Sequence, residues 1–184
     1  MDSLALLTTR RSVRKLTGPG PDAAQLEIML QAATQVPDHG NLTPYQFTVI
    51  AGDEAKRRFR DEVLLAAAGD DEALREKAAN LINMAPVLIG VCTRLQLPNS
   101  WNIPQWEQEI TAGCATYALQ LAAEAQGFSS VWISGAWAKK AALREALGGT
   151  TQDKVIGLLL LGTAVEALRE PKNTELDRWV RYYR

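Results

Sequence analysis

The chain has 184 residues, 47 % of them hydrophobic and 22 % charged, with a formal net charge of −1. That suits one globular domain spanning 1–184 with a substantial core, and the near-neutral charge lacks the general electrostatic footprint of a DNA- or RNA-binding protein. No run approaches the ~20 apolar residues of a membrane span, and one histidine with two cysteines and no Cys-x-x-Cys excludes the usual zinc constellations, so no metal is expected.

The N-terminus, MDSLALLTTRR, carries its basic charges after the apolar run, the reverse of a secretory signal, which leads us to expect a cytoplasmic protein. Ser3 to about Thr9 reads as a short helix. It leads into TRRSVRKL (9–16), where Arg10, Arg11, Arg14 and Lys15 surround Ser12. The Gly-Pro-Gly-Pro at 18–21 is a breaker, after which Asp22 and Gln25 are spaced as a capping box for a helix with Leu26, Met29, Leu30 and Ala33 on one face. Pro37 stops it, and VPDHGNLTPY (36–45) reads as a loop ahead of a strand at 45–51. Asp53 and Asp71 are placed to cap two further helices, one using Phe59 and Val63, the other Leu74, Ala78, Leu81 and Ile82. VLIGVCT (87–93) is a continuous apolar run suited to a strand covered on both faces.

Residues 94–104, with Pro98 and Pro104, read as a loop or lid. The longest helical signal runs from Gln105 to Gly127 and is dominated by small residues, so it should be buried nearly all round, in the domain centre or against a second subunit. Cys92 and Cys114 both read as buried small hydrophobes. SSVWIS (129–134) reads as a buried strand, a short helix follows near 138–147, and KVIGLLLLGT (154–163) is the last strand. The polar tail from 164 to 184, with Trp179, Tyr182 and Tyr183, is an extension expected to pack outside its own core. About four strands separated by several helices argue against a doubly wound nucleotide fold and for an α+β class: a small, mainly antiparallel sheet between helical layers.

No residue set in the chain stands out as able to do hard covalent chemistry by itself. His39 is the only histidine, Gly-x-Ser-x-Gly is absent, Glu107 and Glu109 point to different faces of a helix, and there is neither a P-loop nor a Gly-x-Gly-x-x-Gly. With no side chain singled out as catalytic, the sequence points towards a borrowed cofactor. Three segments could serve one. TRRSVRKL reads as a phosphate clamp, a solvated helix end or a nucleic-acid contact. QVPDHGNLTPYQF (35–47) sets Gln35, His39 and Asn41 on a loop that is equally readable as polar surface. SVWISGAW (130–137) ends an apolar strand in Ser134-Gly135, where backbone can approach a flat ligand or simply turn.

Taken in order, RRSVRKL, PDHGNLTPY, the AGCATYALQLAAEAQGF helix and the VIGLLLLGT strand resemble the FMN-dependent nitroreductase family over essentially the whole chain, most closely its short members. The resemblance implies an intertwined homodimer with two FMN sites at the subunit interface and the tail packed on the partner. Arg10 and Arg14 would hold the phosphate and the pyrimidine edge, with Arg11 and Ser12 completing the segment. Gln35 and His39 would reach the flavin from the other subunit, and Trp132, Ile133, Ser134 and Gly135 would lie along its ring. It also implies ping-pong electron transfer from NAD(P)H to a nitroaromatic, quinone or similar small acceptor, the alternative being a flavin-binding dimer that does not turn over. This chain departs from the commoner pattern at Asp38-His39, where many members have two serines, and at Thr43-Pro44-Tyr45, where they have Gln-Pro-Trp. It also lacks a clear copy of the late basic pair, for which Arg169 and Lys172 are the nearby cations.

Overall fold

The computed structural model describes residues 2–167 and 174–183, so Arg169 and Lys172 lie outside the described residues. Helix α1 (Ser3–Thr9) starts on Asp2, whose carboxylate accepts from the Ala5 N–H, and it ends at Arg10. A two-residue strand β1 (Leu16–Thr17) then precedes α2 (Ala23–Ala33), which opens with the full Asp22/Gln25 capping box. After the loop comes β2 (Tyr45–Ala51). Next, α3 (Asp53–Arg58) passes through a π-helical stretch (Phe59–Leu64) into α4 (Leu65–Ala68). Gly52, rather than Asp53, occupies the N-cap there, which leaves Asp53 in the first turn, still on the favourable side of the helix dipole. Asp71 does cap α5 (Glu72–Leu81) by accepting from Leu74.

β3 (Val87–Thr93), α6 (Gln105–Ala125), β4 (Ser129–Ile133), α7 (Ala141–Ala146) and β5 (Val155–Ala164) complete the regular elements on which the site is built. The sheet is antiparallel throughout its ladders, in the order β1-β5-β3-β2, with β4 paired to β5 as well. β4 and β1 therefore share one edge of β5, Ser129 lying opposite Gly162 and Leu16 opposite Ala164.

The sheet separates two cores, and the alternation of its strands explains how. Leu88 and Cys92 of β3, with Leu158 and Leu160 of β5, face a cluster closed by Phe59, Leu64, Leu81, Leu143 and Leu147. Val87, Ile89 and Val91, with Leu159 and Leu161, face the other way onto Met29 and Ala33 of α2 and Ala112, Ala115, Leu119 and Ala123 of α6. All seven residues of β3 are buried, as a strand covered on both faces requires. The architecture is α+β, a small antiparallel sheet between helical layers.

One expectation is narrowed to one of its two alternatives and another needs correction. Helix α6 is not covered all round by its own chain: the face bearing Thr111, Ala115 and Leu119 is buried, while Trp106, Ile110 and Tyr117 are exposed. Cys114 lies on that open side and is exposed, whereas Cys92 is buried and its thiol is pushed up to about 11, by burial first and by the nearby Asp153 second. The described part of the tail, 174–183, leaves Trp179, Tyr182 and Tyr183 in solvent.

Candidate functional site

The basic segment is held in place by backbone on one side and a helix on the other. Val13 donates its N–H to the Ser130 carbonyl (2.8 Å), and Ser12 and Ser130 form an isolated parallel bridge, which hangs the segment on β4. Ser130 is buried, and its hydroxyl accepts from Gln120 of α6 at 3.0 Å. Further along, Val165 donates to the Lys15 carbonyl (3.1 Å). The path from Arg10 to Leu16 is therefore tied to β4 at Ser12–Val13 and to the end of β5 at Lys15.

Arg11, Ser12, Val13, Arg14 and Lys15 line a cavity of about 360 Å³, closed by Glu166 and Ala167. Lys15 forms an ion pair with Glu166, so among the described residues the lining sets three cations against one carboxylate. Arg10 turns the other way. Its guanidinium lies over the Tyr117 ring, 5.9 Å from the centroid, within cation–π range. One of its nitrogens, Nη1, is buried without a hydrogen-bond partner. A buried N–H left unpaired costs ~1–3 kcal/mol, and more on a charged group, so this atom points to an absent acceptor.

Beside Tyr117 opens a broad apolar groove of about 530 Å³, lined by Val36, Ile110, Cys114, Tyr117, Leu121 and Trp132 among others. Trp132 is half-buried and donates its indole N–H to the Ile156 carbonyl at 3.1 Å. Ile133 is likewise half-buried, and Ser134 and Gly135 are exposed just past the end of β4. Gly135 takes φ +51°, a left-handed turn, with open space around its Cα. Arg10, through Tyr117, thus stands between a cationic cavity and an apolar bed. A phosphate fits the first, a planar heterocycle fits the second, and the unpaired Nη1 suits an anionic group between them. These residues fit FMN.

The second loop stands apart from that cavity. Gln35 is exposed and donates to the Thr34 hydroxyl (3.3 Å), and the His39 Nδ1 lies 2.7 Å from the Glu107 carboxylate. Asp38 accepts from the Thr43 N–H at 2.7 Å, and Thr111 of α6 donates to the Pro37 carbonyl at 3.3 Å. The loop is therefore tied to the start of α6. Neither Gln35 nor His39 lines the basic cavity, although Val36 between them and Trp132 share the apolar groove.

Sequence reasoning overlooked Tyr117, Glu124, Gln120 and Ser130, which support the segment from α6 and β4. Glu124 had a signal: it is the one charged residue between Ile110 and Gly127. It is 9 % exposed. Burial raises its pKa, against the charge of Arg10 and a hydrogen bond from the Arg11 backbone N–H, which both lower it. Among the described residues no group of three or more His, Cys, Asp or Glu could hold a metal ion, and no helix is long and apolar enough to cross a membrane.

Residues 7–163 match the model of the nitroreductase family. A Haemophilus influenzae protein named "Putative NAD(P)H nitroreductase" is 48 % identical, with 99 % of this chain and 100 % of that one aligned. Its Escherichia coli K12 namesake, YdjA, is 43 % identical over 89 % of this chain and 88 % of that one. Among solved structures, a nitroreductase-like family protein from Bacillus cereus superimposes with a TM-score of 0.85 at 21 % identity, covering 100 % of this chain and 96 % of that one. A nitroreductase with bound FMN from Bacteroides fragilis gives 0.75 at 24 % identity with both chains fully covered, a likeness of fold.

Proposed function

Because the chain belongs to the nitroreductase family, we propose that it is an FMN-dependent oxidoreductase working as a homodimer. It draws electrons from NAD(P)H and passes them, by a ping-pong route, to small acceptors such as nitroaromatics or quinones. The observation that carries this reading is Arg10: a half-buried cation with an unpaired Nη1, set between the cavity of the basic segment and the groove beside Trp132. The names of the relatives, which point to NAD(P)H, and the FMN of the Bacteroides structure support the choice of cofactor and donor.

Bound FMN would supply the hydride- and electron-transfer chemistry, so the chain need supply neither nucleophile nor acid–base pair. The chain's part is to hold and to polarise. Arg10 and Arg14, with Arg11 and Ser12, hold the phosphate and the pyrimidine edge, charge-assisted bonds being about twice as strong as neutral ones. Cations at that edge favour negative charge developing there. Trp132, Ile133, Ser134 and Gly135 border the ring, with the exposed backbone after β4 as the source of donors. Gln35 and His39 approach from the partner, which is how a loop that misses the cavity of its own chain would join a site.

The test is spectroscopic. Purified protein is mixed with FMN, freed of excess by gel filtration, and titrated anaerobically with NADH and then NADPH. Retained flavin absorbance that bleaches with either nucleotide is the expected result. Retained flavin that neither bleaches would leave a flavin-binding protein without this donor, and no retained flavin would overturn the reading.

A further inference from the structure

Between Tyr117 and Glu124 helix α6 reads ALQLAA, and its one polar side chain, Gln120, is buried. Burying an amide costs free energy unless a partner is provided. That partner is the Ser130 hydroxyl, itself buried, which accepts from the Gln120 Nε2 at 3.0 Å. Ser130 is in turn the residue of β4 on which the basic segment hangs: its carbonyl accepts from the Val13 N–H at 2.8 Å, and it bridges Ser12. Three residues before Gln120, on a neighbouring position of the helix surface, Tyr117 carries the Arg10 guanidinium. One helix therefore supports the segment twice, at Arg10 through a ring and at Ser12–Val13 through a buried polar pair. Packing alone does not call for such a pair, since two apolar side chains of the same shape serve about as well.

We propose that Gln120 is a positioning residue: through Ser130 it fixes Ser12 and Val13 against β4, and so sets Arg11 and Arg14 where they select a flavin bearing a phosphate over one ending in a hydroxyl. The proposal rests on the FMN reading above and deepens it, because the selecting pair lies outside the lining of both the cationic cavity and the apolar groove. Arg11, Ser12 and Arg14 line the cavity from positions around Val13, so a shift of the Val13–Ser130 contact moves all three together. Charge-assisted hydrogen bonds to phosphate depend on distance and direction. The groove is built on other residues, chiefly of α6, and its Trp132 is held separately by the Ile156 carbonyl. Loosening the pair therefore weakens the hold on the phosphate and leaves the bed for the ring in place.

The test compares FMN with riboflavin, which has the same ring and ribityl chain but no phosphate. Dissociation constants for both are read from the quenching of flavin fluorescence on titration with wild type, Gln120→Met, Ser130→Ala and the double variant. The wild type should prefer FMN. Each single variant should lose about tenfold or more of that preference, the loss expected when one charge-assisted bond to the phosphate is given up. Riboflavin affinity should stay where it was. The double variant replaces both polar partners by apolar groups, so its melting temperature should recover towards wild type. Its FMN preference should stay lost, with the two single effects failing to add. A purely structural pair would instead move stability and the retention of both flavins together. The double variant also serves where a single one, left with an unpaired buried group, does not fold. Folded variants that keep the wild-type preference, or a double variant in which preference returns with stability, would overturn this inference alone. A wild type that binds riboflavin as tightly as FMN would overturn it too, leaving a site for the ring. A wild type that takes up neither flavin would overturn the functional reading and this inference with it.

Discussion

Arg10 presents a guanidinium nitrogen, Nη1, to a buried place with no acceptor, and the cavity next to it is lined by Arg11, Ser12, Arg14 and Lys15. Arg10→Ala should therefore weaken FMN retention by roughly 10- to 150-fold in Kd, the equivalent of ~1.5–3 kcal/mol for a charged hydrogen bond. Equilibrium dialysis on a variant with an unchanged circular dichroism spectrum checks this, and full retention would remove Arg10 from the clamp. Asp153 makes the contrasting case of a charge used for structure. Burial would raise its pKa, but bonds from the Leu95 and Thr150 N–H groups and the Thr150 and Thr93 hydroxyls outweigh that, and the net shift is downward. A carboxyl with a folded pKa below its unfolded one stabilises fully above the unfolded value, near 4, and loses that contribution as pH falls through the folded value. Asp153→Asn, which cannot accept both Thr150 donors on its amide nitrogen, should cost about 1–3 kcal/mol at neutral pH. Its deficit against the wild type should narrow in melts below about pH 4. The two charges differ in legibility. The cluster around Arg10 is visible as a cluster, whereas Asp153 joins a local partner, Thr150, to Leu95 and Thr93, 58 and 60 residues away, which no local window contains.

Most elements were readable because their signals are local: the capping box of α2, the Asp71 cap of α5 and the unbroken apolar run of β3 each carry their explanation within a few residues. β1 was not readable, since two residues, Leu16 and Thr17, show no period and become a strand only by lying along β5. What covers α6 stayed open between its own core and a second subunit for a related reason: alanine and glycine suit both a buried face and a face waiting for another surface, so composition cannot tell them apart. Pairing between β4 and β5 adds a constraint that the sequence shows only as one glycine. A Cβ on Gly157 would lie 2.6 Å from the Ile133 carbonyl oxygen and run into the Trp132 indole. Backbone cannot yield there without moving the strand that borders the candidate site. Gly157→Ala should therefore destabilise by about 1–3 kcal/mol, the usual range for overpacking. Each kcal/mol would lower Tm by about 2–4 °C in a protein of this size. A melt unchanged from wild type would show that the sheet absorbs the methyl group.

Exposed apolar surface on the molecule is organised rather than scattered. Ile110, Cys114, Tyr117 and Leu121 follow one another at helical spacing along α6 and line the same groove as Trp132, while Leu4 and Leu7 of α1 are exposed as well. A contiguous apolar groove of this kind is the usual mark of an interaction surface. The described tail adds Trp179, 78 % exposed, and two tyrosines that its own core leaves uncovered. A homodimer accounts for all of these at once, because the face of one α6 and the tail of the other chain each lack what the other presents. In the proposed homodimer the Gln35–His39 loop of one chain would reach the groove of the other, which would tie cofactor binding to association. Ile110 is the place to break it: it is 57 % exposed and lies about two turns before Tyr117, over which Arg10 rests. Ile110→Glu should fold as a monomer in sedimentation velocity at micromolar concentration and, since Ile110 also lines the groove that fits the heterocycle, lose FMN retention as well. A monomeric wild type, or a variant that stays dimeric, would refute the shared interface. A monomeric variant that keeps its FMN would show that the basic segment and groove of one chain hold the cofactor without the partner's loop.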